Sequence, residues 1–571
     1  MEDMPKNNRR DFNKLGLMLG VNTLLDPLTI LSTAQAQSAL NNSNVGALEM
    51  SYVQINLYGS PSRWYFDSIL KPKEFSPFKK EEMISTTYSK KSGFQYEHIN
   101  MHGIAAPMLW NENIKILNQK KNIGSLFENS MIIRGCNMGA DGHDLNSRKL
   151  VAPFSGEVSL TGQLSDLSHL PLTTVQLMQK ISSQASAPGA FKSHQGQSPV
   201  NIKHSQDYFQ ALFGSVQKEK TQSNYSEIIK LLNKNSSHKP LFQSTRANAK
   251  DLLKKNINLL SGEYEELVKK YTTIIDQAIG TLSKTFFMKE KLGGIELPIT
   301  STNANPHSIL GPQMFSGYFA GNDDFRSMVK KIEFPKMAEQ FAISEFLIKN
   351  KITSSILMMM IPPEHLNIEN ALELDQISQV RIKNNIEPKL VRKKGTKSFN
   401  ESDEEFNFDT HQTGHYPDFI VNNTYFYVFS HCLLMFKENL RKIKKMDKTI
   451  IHLTTEFERT PKIDQAGSDH GWQGHTSTII TDKLSGLHLM GNIYTSSPYF
   501  ETPNKRVGTW GFGAPHQELK GRHLSYRNIM SSMSYLMGVD SITSIDPSLI
   551  YMDKTAGLKK RISAINIDNQ R

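Results

Sequence analysis

Two runs of buried-strand composition, ITSSILMMMI at 352–361 and TIIHLTT at 449–455, stand on either side of a long helical stripe. Neither run alternates polar with apolar residues, which is the mark of a strand covered on both faces. Between them Phe419, Phe426, Leu433, Phe436, Leu440 and Ile443 fall at helical spacing. Strand, helix and strand in this order form a parallel crossover unit, so the chain is expected to be α/β. The second run then delivers Glu456, Arg459, Asp469 and His470 into a polar stretch ending near 475. A strand that feeds such groups into a loop reads as a site, and other segments are weighed by whether they converge on it.

Two earlier segments do. YVQINLY at 52–58 alternates like a strand and is broken by Gly59-Ser60-Pro61-Ser62; SMIIRG at 130–135 is a strand followed by the small, polar CNMGADGH. Ligands of open α/β sheets gather beyond the ends of parallel strands, which makes both loops candidate walls of one site. The remaining organisation is coarser. Residues 45–153 form the N-terminal part of the α/β core and 326–545 its C-terminal part. Between them 154–325 is rich in Ser, Gln, Asn and Lys with little strand signal, and is expected to be a mainly helical insertion. Within it 258–287 carries a helical stripe and 184–201 a mobile loop. An amphipathic helix is expected at 336–349, a charged insertion at 364–405, a helix packed on the sheet at 526–537, and a tail at 546–571.

The chain has 571 residues and a net charge of +11, but its basic residues are dispersed in short groups such as Arg441, Lys442, Lys444 and Lys445. A solvated, like-charged helix end explains these better than a nucleic-acid surface, and no nucleic-acid partner is expected. With only Cys136 and Cys432, neither a disulfide framework nor a cysteine zinc site is available, so any metal must use His and carboxylates. At the N-terminus Arg9-Arg10-Asp11-Phe12-Asn13-Lys14 precedes an apolar run at 15–25 and then Ala34-Gln35-Ala36. These elements in order predict a twin-arginine signal over 1–36, cleaved after Ala36, with export of the folded chain by the twin-arginine machinery to the periplasm or beyond. The apolar run is too short for a bilayer that needs about twenty residues, so no membrane span is expected in the mature chain.

Asp409 and His411 stand two apart, so in an extended segment both side chains point the same way and either share an ion or form an ordinary surface pair. Asp469 and His470 lie in a Gly-bounded stretch, where adjacent side chains need not diverge. Two carboxylates and two imidazoles suit zinc, manganese or iron better than calcium. Glu456 and Arg459 read either as a surface ion pair or, for Arg459, as a clamp on an anionic oxygen. His143 follows a Gly-rich turn and reads three ways: ligand, general acid or exposed turn residue. His415 and His475 are equally open.

YGSPSRWYFD, FDTHQTGH and TTEFERTPKIDQAGSDHG together resemble the motifs of the DUF1501 family, exported twin-arginine proteins related to the alkaline phosphatase and sulfatase superfamily. The resemblance runs from about 54 to 540 and is weak over 154–325. It implies a doubly wound, mostly parallel sheet of alkaline phosphatase/sulfatase type with a helical insertion. It further implies a divalent metal, zinc or manganese, in which Asp409, His411, Asp469 and His470 match the ligand motifs. Three departures accompany it. The early family Asp falls on Tyr65, leaving Asp67 as a shifted substitute metal ligand; the Gly of the EFGR motif is Glu458; and Gly139-Ala140-Asp141 holds no hydroxyl where related phosphomutases carry a Ser or Thr. The expected function is an exported metal-dependent hydrolase of phosphate or sulfate esters, small or polymeric, with water or hydroxide as nucleophile. Arg459, Glu456 and His143 are the catalytic candidates. The alternative is an exported binding protein that retains the fold without turnover.

Overall fold

A computed structural model describes residues 50–59, 61–69, 87–89, 93–95, 98–153, 158–168, 170, 172–177, 190–203, 206–213, 262–282, 334, 336–360, 415–461, 468–494, 511–543, 545–553, 555 and 557–567. The signal region, Asp409, His411 and the 364–405 insertion lie outside them. The elements that position the site are, in chain order, β1 (Ser51–Leu57), β2 (Ser130–Cys136), α1 (His143–Val151), α2 (Leu160–Leu167), β3 (Val175–Leu177), β4 (Val200–Ile202), α3 (Glu263–Leu282), α4 (Met337–Lys349), β5 (Ser355–Met360), α5 (His415–Lys442), β6 (Thr449–Thr454), β7 (Glu458–Pro461), β8 (Ser468–Gly471), β9 (His475–Ile480), β10 (Leu487–Met490) and α6 (Tyr526–Met537).

β1 lies inside an eight-stranded sheet of order β4-β3-β5-β1-β6-β9-β2-β10. It pairs in parallel with β5 on one side and β6 on the other, and β9 alone runs against the rest. The expected crossover is therefore present: β5, α5 and β6 flank β1. Helices cover both faces, as an α/β sheet requires. Val53, Ile55 and Leu57 face a core shared with Tyr271 of α3, Phe341 of α4 and Phe429 of α5. Tyr52, Met131, Ile133, Ile450 and Ile479 face a second core with Leu150 of α1, Leu164 of α2, and Met530 and Met533 of α6.

Three expectations need correction. β3 and β4 come from the Ser- and Gln-rich region where strands were not expected, and β4 falls partly in the segment read as a mobile loop. Only three residues long, they bury Val175, Leu177, Val200 and Ile202 at the sheet margin, too short a pattern to register as periodicity. α4 is not amphipathic in effect, because β5, α3 and α5 together cover what would be its polar residues. Gln340 Nε2 donates to the Met359 carbonyl at 2.8 Å, and Glu345 accepts from Tyr271 and Asn439 at 2.6 and 2.9 Å. Burial raises the Glu345 carboxyl above its usual range. The stretch after β6 is not an open loop either: β7 and β8 form an antiparallel ribbon, and the chain returns into the sheet as β9.

The alternation in β1 would ordinarily mark a strand with one wet face. Here Tyr52, Gln54 and Asn56 are buried too, against a polar network. The Tyr52 hydroxyl lies 2.8 Å from His452 Nδ1 and 3.0 Å from Gln54 Oε1, and Gln54 Nε2 donates to Asn56 Oδ1 at 2.8 Å. Ser477 Oγ sits 3.1 Å from His452 Nε2 and 2.9 Å from His475 Nε2. Burial, with the Arg63 guanidinium adding to it, pulls His452 down to about 3, and His475 falls well below its ordinary range for the same reasons.

His452 therefore stays neutral in the folded chain while the unfolded chain takes up a proton below about 6.5. Its contribution to stability is complete above that pH and is lost as pH falls toward 3, by about 1.4 kcal/mol per unit. His452→Gln should remove this dependence, so the stability difference between pH 7 and pH 4.5 shrinks by about 3 kcal/mol relative to the parent. Urea unfolding of both proteins at the two pH values checks it; parallel losses would refute the assignment.

Candidate active site

The carboxyl edge of β1, β2 and β6 gathers the polar groups. β1 ends in Tyr58-Gly59, and the Gly59 peptide is held from both sides: its N–H donates to Glu456 Oε1 at 2.8 Å, and its carbonyl accepts from Nε and Nη2 of Arg459 at 3.3 and 3.2 Å. Both partners are almost fully buried, so neither belongs to a surface ion pair. Beyond β2 the loop turns at Gly139, whose positive φ of 73° suits a residue without a side chain. Its N–H donates to Asn137 Oδ1 at 2.7 Å. Two α1 side chains fasten the loop: Asn146 donates to the Ala140 carbonyl at 2.7 Å and Lys149 to that of Met138 at 2.6 Å.

That loop presents Asp141 and His143. His143 opens α1, and its Nδ1 lies 2.7 Å from Glu456 Oε1. Opposite it the β7–β8 ribbon sets Arg459 across from His470 and Thr460 across from Asp469. His470 Nδ1 lies 2.6 Å from Asp141 Oδ1. The two imidazoles meet edge to face with ring centres 4.9 Å apart, and Phe457 packs against both, 4.0 Å from His470 and 4.6 Å from His143. Tyr58 closes the other side of His143 at 5.7 Å.

The site is thus two neighbouring imidazoles, each with a carboxylate on Nδ1. The pairs differ in exposure: Glu456 is 1% exposed and Asp141 60%. A carboxylate at Nδ1 favours the tautomer with its proton there and gives Nε2 the lone pair. Metal-ligating histidines are held in this way, and neutral imidazole suits a borderline ion such as zinc. His143 and His470 are thus the two imidazoles of the site, with Glu456 and Asp141 behind them. Among the described residues no group of three or more His, Cys, Asp and Glu is arranged to hold an ion. Asp409 and His411 lie outside those residues.

Other expected members are placed differently. Asp67 does not reach the pair: it is fully buried, with Oδ1 and Oδ2 taken by Nε and Nη2 of Arg63 at 2.8 and 2.6 Å. Asp469 and His470 are neighbours in a strand, so their side chains leave opposite faces of the ribbon, and only His470 turns toward His143. His475 begins β9 inside the buried network, and His415 begins α5. Sequence reasoning missed Asp141 and Phe457. Asp141 lay in a loop already expected to line the site, two residues before His143; nothing local paired it with a histidine 329 positions away.

No family model matches the chain, and no curated protein or solved structure matches it. Among the described residues no helix is long and apolar enough to cross a membrane.

Proposed function

We propose that the protein is an exported metal-dependent hydrolase of phosphate or sulfate esters, with a small or polymeric ester as substrate. The observation that supports this reading best is the adjacent pair of carboxylate-held imidazoles, His143 with Glu456 and His470 with Asp141, at the carboxyl edge of the central strands. In the proposal His143 and His470 would hold the ion together with Asp409 and His411, the motif-matched donors. Zinc or manganese bound by these residues would supply Lewis-acid polarisation of an ester oxygen and would lower the pKa of the nucleophilic water.

The chain's own groups have separate tasks. Glu456, fixed by the Gly59 N–H, orients His143 through its Nδ1. Asp141 does the same for His470 from the solvent side. Phe457 excludes water from between the two rings. Arg459 holds the Gly59 carbonyl, which sets the end of β1 against Glu456. Gly139-Ala140-Asp141 offers no hydroxyl, so water is the nucleophile in this reading.

Glu456→Gln is expected to weaken metal affinity or ester turnover by about 10- to 100-fold. Metal content of protein purified without chelator, with aryl phosphate and aryl sulfate hydrolysis in added zinc or manganese, provides the measurement. Absence of stoichiometric metal from the parent, together with unchanged stability after His470→Ala, would sink the proposal. One observation favours a binder without turnover: two of the Arg459 donors are spent on the Gly59 carbonyl. Ester turnover that His470→Ala abolishes excludes that reading.

A further inference from the structure

A cleft on the helical side of the molecule shares no lining residue with the candidate active site. One wall is α3, whose Glu266, Lys270, Thr273 and Gln277 recur every three or four residues along one flank, with Lys269 beside them. The facing wall is a hairpin of strands Asn113–Ile116 and Gln119–Asn122. Its two turn residues, Leu117 and Asn118, both adopt positive φ, 49° and 64°, which turns the hairpin tightly over the helix. Ile116, Ile274 and Met435 of α5 form an apolar floor, and the cleft, open to solvent, has a volume of about 660 Å³.

Lys115, Lys269 and Lys270 stand at the rim, exposed, against a single acid, Glu266. No ion pair ties Lys115 or Lys269 to a carboxylate among the described residues, and Lys270 acts on the buried Glu345 carboxyl only through its field. By contrast Glu263, one turn earlier on α3, is taken by Lys349 at 2.7 Å. An open cleft of this volume, with apolar residues at its floor and amines on converging walls, has room for a small organic molecule.

We propose that this cleft binds an amphipathic organic anion, one with a sulfate, phosphate or carboxylate head and a short alkyl or aryl body. The lysines receive the head and the Ile116, Ile274 and Met435 floor receives the body. An inorganic anion lacks the part that would cover the floor; a neutral amphiphile lacks the part that would answer the lysines.

Titration calorimetry of the full chain with octyl sulfate, below its micelle concentration, tests this. Saturable binding is expected that weakens as salt is raised, with octyl glucoside and inorganic sulfate both failing to saturate at the same concentrations. Lys269→Gln combined with Lys270→Gln should weaken octyl sulfate about tenfold, while Lys442→Gln, at the exposed end of α5, leaves it unchanged. Thr273→Trp, at an exposed helix position, should block the cleft without disturbing the fold. Binding of octyl glucoside as tight as octyl sulfate, or octyl sulfate binding indifferent to both the lysine pair and Thr273→Trp, overturns the proposal.

Discussion

Asp67→Ala is expected to destabilise the protein by about 3–5 kcal/mol, the cost of leaving one partner of a buried ion pair without the other. Asp67 and Arg63 are both fully buried, and the carboxylate takes Nε and Nη2 of the guanidinium in a two-point contact. Arg63 also donates to the Thr476 carbonyl and, at 3.3 Å, to Thr478 Oγ1. It thereby pins the turn after β1 to β9. A metal ligand at this position would behave otherwise, since its removal would cost metal before stability. Urea unfolding of the metal-free protein separates the two: a loss below about 1 kcal/mol would mean that the pair is not structural. Replacing both residues with apolar ones of similar volume, Arg63→Met with Asp67→Leu, should be far milder, because no charge is then stranded.

Glu458→Gln is expected to do the opposite in alkaline solution. The Glu458 side chain lies fully buried beside the same guanidinium, with Oε1 accepting from the Arg63 backbone N–H at 3.2 Å. Two carboxyls then face one cation, and Asp67 already holds the fork of that cation. Burial raises Glu458 to about 8, against the pull of Arg63 and with the repulsion of Asp67 adding to it. The folded chain so keeps a proton that the unfolded chain releases near 4.5. Stability from this group is complete below about 4.5 and is lost as pH rises to about 8, amounting to about 5 kcal/mol before it levels off. Glutamine cannot ionise, so the variant should overtake the parent as pH rises and exceed it most above pH 8. Unfolding midpoints at pH 5, 7 and 8.5 measure the crossover; a constant offset between the two proteins would contradict it. The sites are also coupled. Both carboxyls face Arg63, so Asp67→Ala and Glu458→Gln should not be additive.

Much of the frame was legible. Strands at 51–57, 130–136, 355–360 and 449–454, and helices at 263–282, 415–442 and 526–537, follow from runs of apolar residues at a single period, which report which residues must leave water. The crossover from β5 through α5 to β6 followed from their order alone. The site was half legible. Glu456, Arg459, His143 and His470 were marked by residue type and by standing at strand ends, and the fold brings Glu456 to His143 and sets Phe457 and His470 beside them. What their partners are was not legible. His143 meets Glu456 across 313 positions and His470 meets Asp141 across 329. Those pairings depend on β6 lying next to β1, on β9 returning antiparallel between β6 and β2, and on the β7–β8 ribbon at the tip between them. Asp67 looked like a ligand because an acid stands near the expected motif, and became half of an ion pair because Arg63, four residues earlier, is buried on the same turn. Sequence by itself determined which segments are strands and helices and which face of each is apolar, because periodicity is a local property of the chain. Only the tertiary structure decided which polar groups touch, because strand order and direction bring together residues whose separation in sequence carries no signal of their contact.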